Sequence, residues 1–316
     1  MVRWFLIILV AIAALLGIGY IEFTKPDIPR ATLEAKYASP PSQFVSLPDG
    51  ARVHYRIRGA ADAPVLVLLH GSNASLFTWE PWSKTLSDKF RVVSLDLPGH
   101  GLTGPVPNHD YSAEAMATFV AEFADKLGLQ RFALAGNSMG GGVAARFAET
   151  YPDRVTALIL VDAGGMQTRR GDRIPLAFQL PRLPWLRPLL VQIDPKPLAR
   201  EGLNKAIVRK AVLTEQMIDL YSDMALLEGS REATLERFNQ MGSDQHYVKD
   251  HVGALKMPVL ILWGEQDHLI PVAAAHAWNT AIPGSKLIIY PATGHIPMEE
   301  VADQSAADVR KFLTAH

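Results

Sequence analysis

The run Gly136-Asn137-Ser138-Met139-Gly140 has the G-x-S-x-G spacing that can present a serine hydroxyl to a carbonyl carbon. It follows the apolar residues 132–135 and precedes further small residues, so the serine is predicted to lie on a tight turn between a strand and a helix. Such a turn needs backbone angles at which a Cβ would clash, which explains the flanking glycines. The pattern indicates that Ser138 is a nucleophile and that the amide of Met139 points toward the same space.

A base must take the proton of a serine hydroxyl before the serine can attack. His295 is the best placed of the ten histidines, because it follows the last apolar run, residues 287–290, near the end of the chain. The order serine, acid, histidine predicts a histidine in that place. His268 is the second candidate, although it adjoins the acid candidate and follows no strand of its own.

A carboxylate must fix the tautomer of the imidazole and stabilise its cation. Asp267 comes shortly after the apolar run 259–263 and is the preferred acid, since the acid usually follows the penultimate strand. Asp162 follows the preceding run, 158–161, and remains the alternative acid.

Two backbone amides must receive the oxyanion that forms when a serine attacks. One is the amide of Met139, and the other should come from the segment His70-Gly71-Ser72-Asn73-Ala74-Ser75, which follows the run 65–69. We prefer Ser72, with Asn73 next. His70 is predicted to support this loop through hydrogen bonds rather than to transfer protons.

Short apolar runs precede all of these residues, as in strands that are buried on both faces of a parallel sheet. Predicted helices, such as 112–127 and 139–149, alternate with them. Residues 44–47 and 52–57, joined by an Asp-Gly turn, predict a hairpin. The fold class is therefore α/β, a doubly wound, mostly parallel sheet with its functional residues at one edge. The runs are 65–69, 91–95, 132–135, 158–161, 259–263 and 287–290.

Residues 164–251 interrupt this alternation and are predicted to form a mostly helical cap, inserted between core parts 43–163 and 252–316. The first part of the cap is basic and rich in proline, with interleaved apolar residues such as Trp185. It is either a lid that touches a bilayer or an apolar substrate, or, as we favour, a cap that packs its apolar side on the core. Asn73 and Trp185 are the candidate substrate contacts.

The N-terminal residues 1–23 predict a transmembrane signal anchor. Residues 4–21 are uninterruptedly apolar, and as a helix they would measure about 27 Å, close to the ~30 Å of a bilayer core. A cleaved signal peptide is the alternative. Residues 24–42 contain four prolines and predict a linker. We therefore expect a single-pass membrane protein whose catalytic domain is extracytoplasmic.

The composition excludes several classes of function. The chain has 316 residues, 48% of them hydrophobic, with a net charge of −1 and no cysteine. The length suffices for one large α/β domain with an insertion. The charge gives no sign of a nucleic-acid partner, and the lack of cysteine excludes disulfides, a thiol nucleophile and a cysteine metal site.

Five segments, taken together, resemble the α/β-hydrolase superfamily: HGSNAS, DLPGHGLTG, GNSMGG, WGEQDHLIP and GHIPMEE. The resemblance runs from about residue 44 to the end, outside the cap, and is strongest to the esterase and lipase-like branch. It implies a Ser138–Asp267–His295 triad, an oxyanion hole from Ser72 and Met139, a cap that shapes the acyl pocket, and no metal or organic cofactor.

The expected activity is hydrolysis of carboxylic esters, lipids included, through an acyl-enzyme. The expected partners are a small-molecule ester or lipid and, through the N-terminal helix, a membrane. Two alternatives stay open. One is a carbon–carbon bond hydrolase of ring-cleavage products, which needs polar cap groups to hold an acidic dienoate. The other is a ligand receptor that kept the fold.

Overall fold

One mixed sheet forms the centre of the molecule. The computed structural model describes residues 22–166, 183–240 and 252–316, together with Trp4, Gly19 and Tyr20. Within these residues eight strands pair in the order β1-β2-β4-β3-β5-β6-β7-β8. They are β1 (Ser42–Ser46), β2 (Arg52–Arg58), β3 (Val65–Leu69), β4 (Arg91–Leu95), β5 (Phe132–Asn137), β6 (Val155–Val161), β7 (Val259–Gly264) and β8 (Lys286–Tyr290).

The pairing directions confirm the predicted hairpin and the mostly parallel sheet. Strands β1 and β2 pair antiparallel, as do β2 and β4. All of the other pairings in the sheet are parallel. The carboxyl ends of β3 to β8 therefore meet at one edge of the sheet, where functional residues are expected.

Apolar residues of the central strands reach both faces of the sheet. In β3, Leu66 and Leu68 pack in one buried cluster, and Val67 and Leu69 pack in the other. This division follows from the two-residue period of a strand. It explains why the strands appear in the sequence as unbroken apolar runs, since helices cover both faces.

Helices flank the sheet and form the described part of the insertion. In α3, Ser112 is the N-cap, and its side chain accepts a hydrogen bond from the amide of Ala115. In the order of the chain the helices are α1 (Arg30–Tyr37), α2 (Glu80–Leu86), α3 (Ala113–Lys126), α4 (Met139–Thr150), α5 (Arg187–Leu190), α6 (Lys196–Ala206), α7 (Glu215–Ala225), α8 (Ser230–Gln240), α9 (Ala273–Ala281), α10 (Pro297–Glu300) and α11 (Ala302–Thr314).

The cap is inserted between β6 and β7. Its described residues, 183–240, contain α5 to α8 and short 3₁₀ turns, so this part is helical. Residues 167–182 and 241–251 of the predicted cap lie outside the described residues.

The predicted linker, residues 24–42, is not a free tether along its length. Asp27 accepts a hydrogen bond of 2.6 Å from Arg231 of α8, and Thr24 and Ile28 form isolated bridges to the cap. The prediction rested on the prolines alone. Pro29, however, is the N-cap of α1, where its missing amide hydrogen costs no helical hydrogen bond.

The predicted anchor, residues 1–23, lies almost wholly outside the described residues. In the part of the chain that the structure describes, no helix has both the length and the apolar character needed to cross a bilayer. The anchor stays a prediction.

Candidate active site

Ser138 occupies a strained turn between β5 and α4. Its backbone angles are φ 54° and ψ −120°, which a residue with a Cβ adopts only at some energetic cost. Backbone hydrogen bonds hold it there. Its amide donates to the carbonyl of Val161 at 3.0 Å, and its own carbonyl accepts from Gly141 at 3.0 Å and from Gly164 at 2.8 Å. The turn therefore has the geometry expected of an elbow that exposes a nucleophile.

Close backbone contacts explain two of the three consecutive glycines that begin α4. A Cβ on Gly140 would lie 2.4 Å from the carbonyl oxygens of Leu69 and His70, and a Cβ on Gly141 would lie 2.5 Å from the Cβ of Ala163. A Cβ on Gly142 would meet its nearest atom at an ordinary 3.5 Å. The first two glycines thus let α4 approach its neighbouring segments, whereas the third leaves room for a side chain.

His295 and Asp267 form a buried hydrogen-bonded pair. Nδ1 of His295 donates to Oδ2 of Asp267 at 2.7 Å. The other carboxylate oxygen of Asp267 accepts from the amides of Leu269 and Ile270, at 2.7 and 3.0 Å. Because Nδ1 carries the proton, the neutral ring has its lone pair on Nε2, which is the form required of a general base.

Asn137 ties the histidine loop to the elbow. Its side-chain amide donates to the carbonyl of His295 at 3.0 Å and to that of Val161 at 3.1 Å. Since Asn137 directly precedes Ser138, the loop that carries His295 is fixed against the elbow. The structure therefore pairs Asp267 with His295, and it places Ser138 directly after the residue that binds the carbonyl of His295, at the carboxyl edge of the sheet.

Asp162, the alternative acid, lies beside this pair but does not bind the imidazole. Its Oδ1 accepts from the amide of Gly264 at 2.9 Å. One oxygen of each carboxylate and one nitrogen of His295 lie within 4.8 Å of one another. Burial, followed by the charge of Asp267, raises the pKa of Asp162 well above its usual value. This environment favours the protonated form of Asp162, and Asp267 is the carboxyl group that binds the imidazole.

The three groups also form a His/Asp cluster that could hold a metal ion. A cation there would have to displace the 2.7 Å hydrogen bond between His295 and Asp267. The arrangement is better described as a hydrogen-bonded His295–Asp267 pair beside a second carboxyl group than as a ligand set.

The two other candidate histidines lack the geometry of a base. His268 is exposed. His70 is buried, its Nε2 accepts from the amide of Leu97 at 3.0 Å, and its Nδ1 donates to the carbonyl of Gly71 at 2.7 Å. Burial lowers the pKa of His70. Both ring nitrogens are engaged with the backbone, as expected of a residue that supports the loop.

The loop after β3 passes close to the nucleophile. A Cβ on Gly71 would lie 3.1 Å from the Cβ of Ser138. Asn73 has a positive φ of 58°, which helps the chain to turn here. The loop that contains Ser72 thus lies beside Ser138.

Arg237 of α8 is a site residue that the sequence did not reveal. Its side chain is 1% exposed, and its Nη1 and Nη2 donate to Ser72 Oγ at 2.7 Å and to Asn73 Oδ1 at 2.8 Å. Nη1 also lies 3.9 Å from the sulfur of Met139. No local motif marks this arginine, because its partners come from distant parts of the chain.

Glu300 was also missed by the sequence reasoning. One of its carboxylate oxygens accepts from the amide of Gly294 at 2.8 Å, and the other accepts from the amides of Val208 and Arg209, at 2.8 and 2.7 Å. The carboxylate therefore joins the loop of His295 to the chain that follows α6. An acidic residue shortly after the histidine is the single sequence signal, and it is weak.

Trp185, a predicted substrate contact, lies in the 3₁₀ turn Pro184–Leu186 and is 70% exposed. Within the described part of the chain, nothing joins its side chain to the triad. Its role stays a prediction.

Comparisons with known proteins agree with this geometry. A sequence model of the α/β hydrolase fold matches residues 64–301. The chain resembles the solved structure of a bacterial membrane phospholipase A, with a TM-score of 0.75 and 25% identity over 100% of this chain and 99% of the other. It also resembles a thermophilic esterase from Thermogutta terrifontis, with a TM-score of 0.72 and 27% identity over 86% and 98% of the two chains.

One curated relative has a different stated activity. A 2-hydroxy-6-oxononadienedioate/2-hydroxy-6-oxononatrienedioate hydrolase of Klebsiella pneumoniae is 28% identical over 283 residues, which are 86% of this chain and 95% of the relative.

Proposed function

The chain belongs to the α/β-hydrolase fold family, and from that premise we propose that it is a serine hydrolase that cleaves carboxylic esters through an acyl-enzyme. The observation that carries the proposal is the His295–Asp267 hydrogen bond of 2.7 Å, on a loop that Asn137 ties to the elbow of Ser138. A nucleophile, a base and an orienting acid in this arrangement can activate a hydroxyl for acyl transfer.

In the proposed mechanism, Ser138 Oγ attacks the ester carbonyl while Nε2 of His295 takes its proton. The amides of Ser72 and Met139 stabilise the oxyanion. The imidazolium, held by Asp267, then protonates the leaving alcohol, and an acyl-Ser138 remains. Water attacks the acyl group with His295 again as the base, and the carboxylic acid leaves.

Two comparisons support an ester as the substrate, because both a phospholipase A and an esterase resemble this chain over most of its length. The second candidate is carbon–carbon bond hydrolysis, which the Klebsiella pneumoniae relative favours. A water-soluble ester and a ring-fission dienoate are therefore the two test substrates that distinguish these candidate functions.

Hydrolysis of p-nitrophenyl esters from acetate to palmitate, for wild type and Ser138→Ala, tests the proposal. We expect turnover that is lost in the variant, and the chain-length profile separates small esters from lipid-like ones. A folded wild type that leaves every ester intact but consumes a ring-fission dienoate, followed by its absorbance, would contradict ester cleavage. Binding of either compound without turnover would support a receptor.

We also propose that residues 4–21 anchor the protein in a membrane, with the catalytic domain on the extracytoplasmic side. The proposal is supported by the apolar character and length of the segment. Full-length protein should sediment with membranes and resist extraction at high salt, and a chain of residues 22–316 should not. Protease treatment of vesicles of known orientation tests the side, and a freely soluble full-length chain would contradict the anchor.

A further inference from the structure

A single side chain of the cap contacts both segments that supply the proposed oxyanion donors. Arg237 binds the side chains of Ser72 and Asn73 with two separate guanidinium nitrogens, and its Nη1 also approaches the sulfur of Met139 at 3.9 Å. Ser72 lies in the loop after β3, and Met139 is the first residue of α4. Arg237 comes from α8, 165 residues after Ser72 and 98 residues after Met139. These three contacts connect the cap to the oxyanion hole.

We propose that Arg237 is a positioning residue, which holds the amides of Ser72 and Met139 in the geometry that binds the oxyanion and so makes this hole depend on a docked cap. The inference rests on the proposed acyl-transfer function. Amides stabilise a transition state only when they are already aligned where the charge develops. The loop turns at Asn73, whose φ is positive, and Arg237 binds two neighbouring residues of this turn, Ser72 and Asn73.

The shape of the guanidinium suits this task. Its planar fork donates in two fixed directions, here to a hydroxyl and to an amide oxygen, and so fixes the two acceptors relative to each other. Lysine carries the same charge on a flexible stem and cannot reproduce the fork. A change to lysine therefore separates the positioning role from the charge.

The charge of Arg237 also favours an oxyanion. Burial lowers the pKa of Arg237 to about 10, so the side chain remains a cation at neutral pH. Burial and then the charge of Arg237 hold the pKa of His100 well below its usual value. Because Arg237 binds Ser72 and approaches Met139, its charge adds a positive potential next to the two proposed oxyanion donors.

The test compares Arg237→Lys and Ser72→Ala with wild type. Ser72→Ala keeps the backbone amide of the hole and removes only the hydroxyl that Arg237 binds. We expect kcat for p-nitrophenyl butyrate to fall about 10- to 100-fold in Arg237→Lys, with KM changed less than about threefold, because the loss falls on the transition state. We expect kcat of Ser72→Ala to fall as well. We expect the loss of kcat in the double variant to be smaller than the product of the two single losses.

A boronic acid inhibitor gives a second readout, since its tetrahedral serine adduct places an oxygen in the hole. Its affinity should fall with kcat across the variants, which a purely structural role would not produce. Arg231→Lys is the matched control, because Arg231 lies on the same helix but binds Asp27 of the N-terminal segment. Its kcat and boronate affinity should stay within about twofold of wild type, as expected for a site remote from the oxyanion.

The outcomes are distinguishable. If Ser138-dependent hydrolysis occurs but kcat and boronate affinity are unchanged in Ser72→Ala and in a folded Arg237→Lys, this inference is wrong and the proposed function stands. A rise in KM with unchanged kcat would instead make Arg237 a substrate-binding group. If Arg237→Lys does not fold, Ser72→Ala decides the question alone. Absence of Ser138-dependent hydrolysis in wild type would overturn the proposed function and this inference with it.

Discussion

At the scale of single residues, the site depends on groups held in states that they would not adopt in isolation. Ser138 is fixed at a positive φ, at a cost on the order of 1–3 kcal/mol that the surrounding backbone hydrogen bonds offset. Asp267 and Asp162 are both buried and lie close together, and burial followed by the charge of Asp267 raises the pKa of Asp162. The hydrogen bond to His295 identifies Asp267 as the carboxyl group that orients the imidazole.

Substitution by asparagine separates the two carboxylates. Asp267→Asn should lower kcat about 10³- to 10⁴-fold, because the amide would favour the wrong tautomer of His295. Asp162→Asn introduces an uncharged group of the same shape and should keep kcat within about threefold of wild type, because Asp162 binds the amide of Gly264 and not the imidazole. Steady-state kinetics of the two purified variants measures this. The reverse ranking would move the acid of the triad to Asp162.

The sequence located part of this site. The spacing of Gly136, Ser138 and Gly140 predicts the elbow. The positions of Asp267 and His295 after the last two strands identify the two residues whose side chains form a hydrogen bond of 2.7 Å. Arg237 and Glu300 could not be found in this way, because each acts through atoms that only the folded cap brings near. Local spacing carries no information about such contacts.

At the scale of elements, the elbow requires α4 to pass unusually close to its neighbours. The carbonyls at the end of β3 face the first turn of α4 at a distance that excludes a Cβ on Gly140. The pattern Gly140-Gly141-Gly142 in the sequence indicated small residues but could not distinguish the three. The distances from a Cβ built on each glycine to its nearest atoms do distinguish them.

Alanine at two of these glycines should have opposite effects. Gly140→Ala should lower the free energy of unfolding by at least about 2 kcal/mol, since its Cβ would overlap backbone atoms that cannot move aside. Gly142→Ala, the matched control, should raise it by about 0.5–1 kcal/mol, because alanine favours helix and has room there. Denaturant unfolding of both variants measures this. Equal destabilisation would contradict the stated packing of α4.

Helix α10, directly after His295, holds a carboxyl group that titrates near neutrality. Burial raises the pKa of Glu299 to about 7, and a hydrogen bond from Thr78 opposes the shift. The folded protein therefore retains a proton that the unfolded chain releases between pH ~4.5 and ~7. Glu299 consequently lowers the free energy of unfolding as pH rises through this window, by up to about 3 kcal/mol.

Glu299→Gln should remove this dependence. We expect the variant to be more stable than wild type at pH 8 and to lose that advantage at pH 4.5. Burial also raises the pKa of Glu149 to about 7, so the difference between variant and wild type, measured by unfolding across pH, isolates Glu299. Glu232→Gln, at an exposed position, is the control, and its free energy of unfolding should change with pH as that of wild type does. A constant difference at every pH would show that Glu299 is ionised in the folded state.

At the scale of the whole molecule, the alternation of apolar runs and helices was enough to predict a mostly parallel sheet with an inserted cap. The docking of the cap was not predictable, since it depends on contacts such as Arg237 with the loop of Ser72 and Glu300 with the chain after α6. The prolines of residues 24–42 predict a linker, yet Asp27 in this segment binds Arg231 of the cap. Proline content gave no indication of that pairing.

In the proposed mechanism Ser138 is the nucleophile, and covalent trapping examines this role. Wild type, Ser138→Ala and Asp267→Asn are incubated with a fluorophosphonate, and the modified peptides are identified by mass spectrometry. We expect one adduct per chain, on Ser138, no adduct in Ser138→Ala and much slower labelling in Asp267→Asn. Labelling of another residue, or a folded and unlabelled wild type, would contradict it.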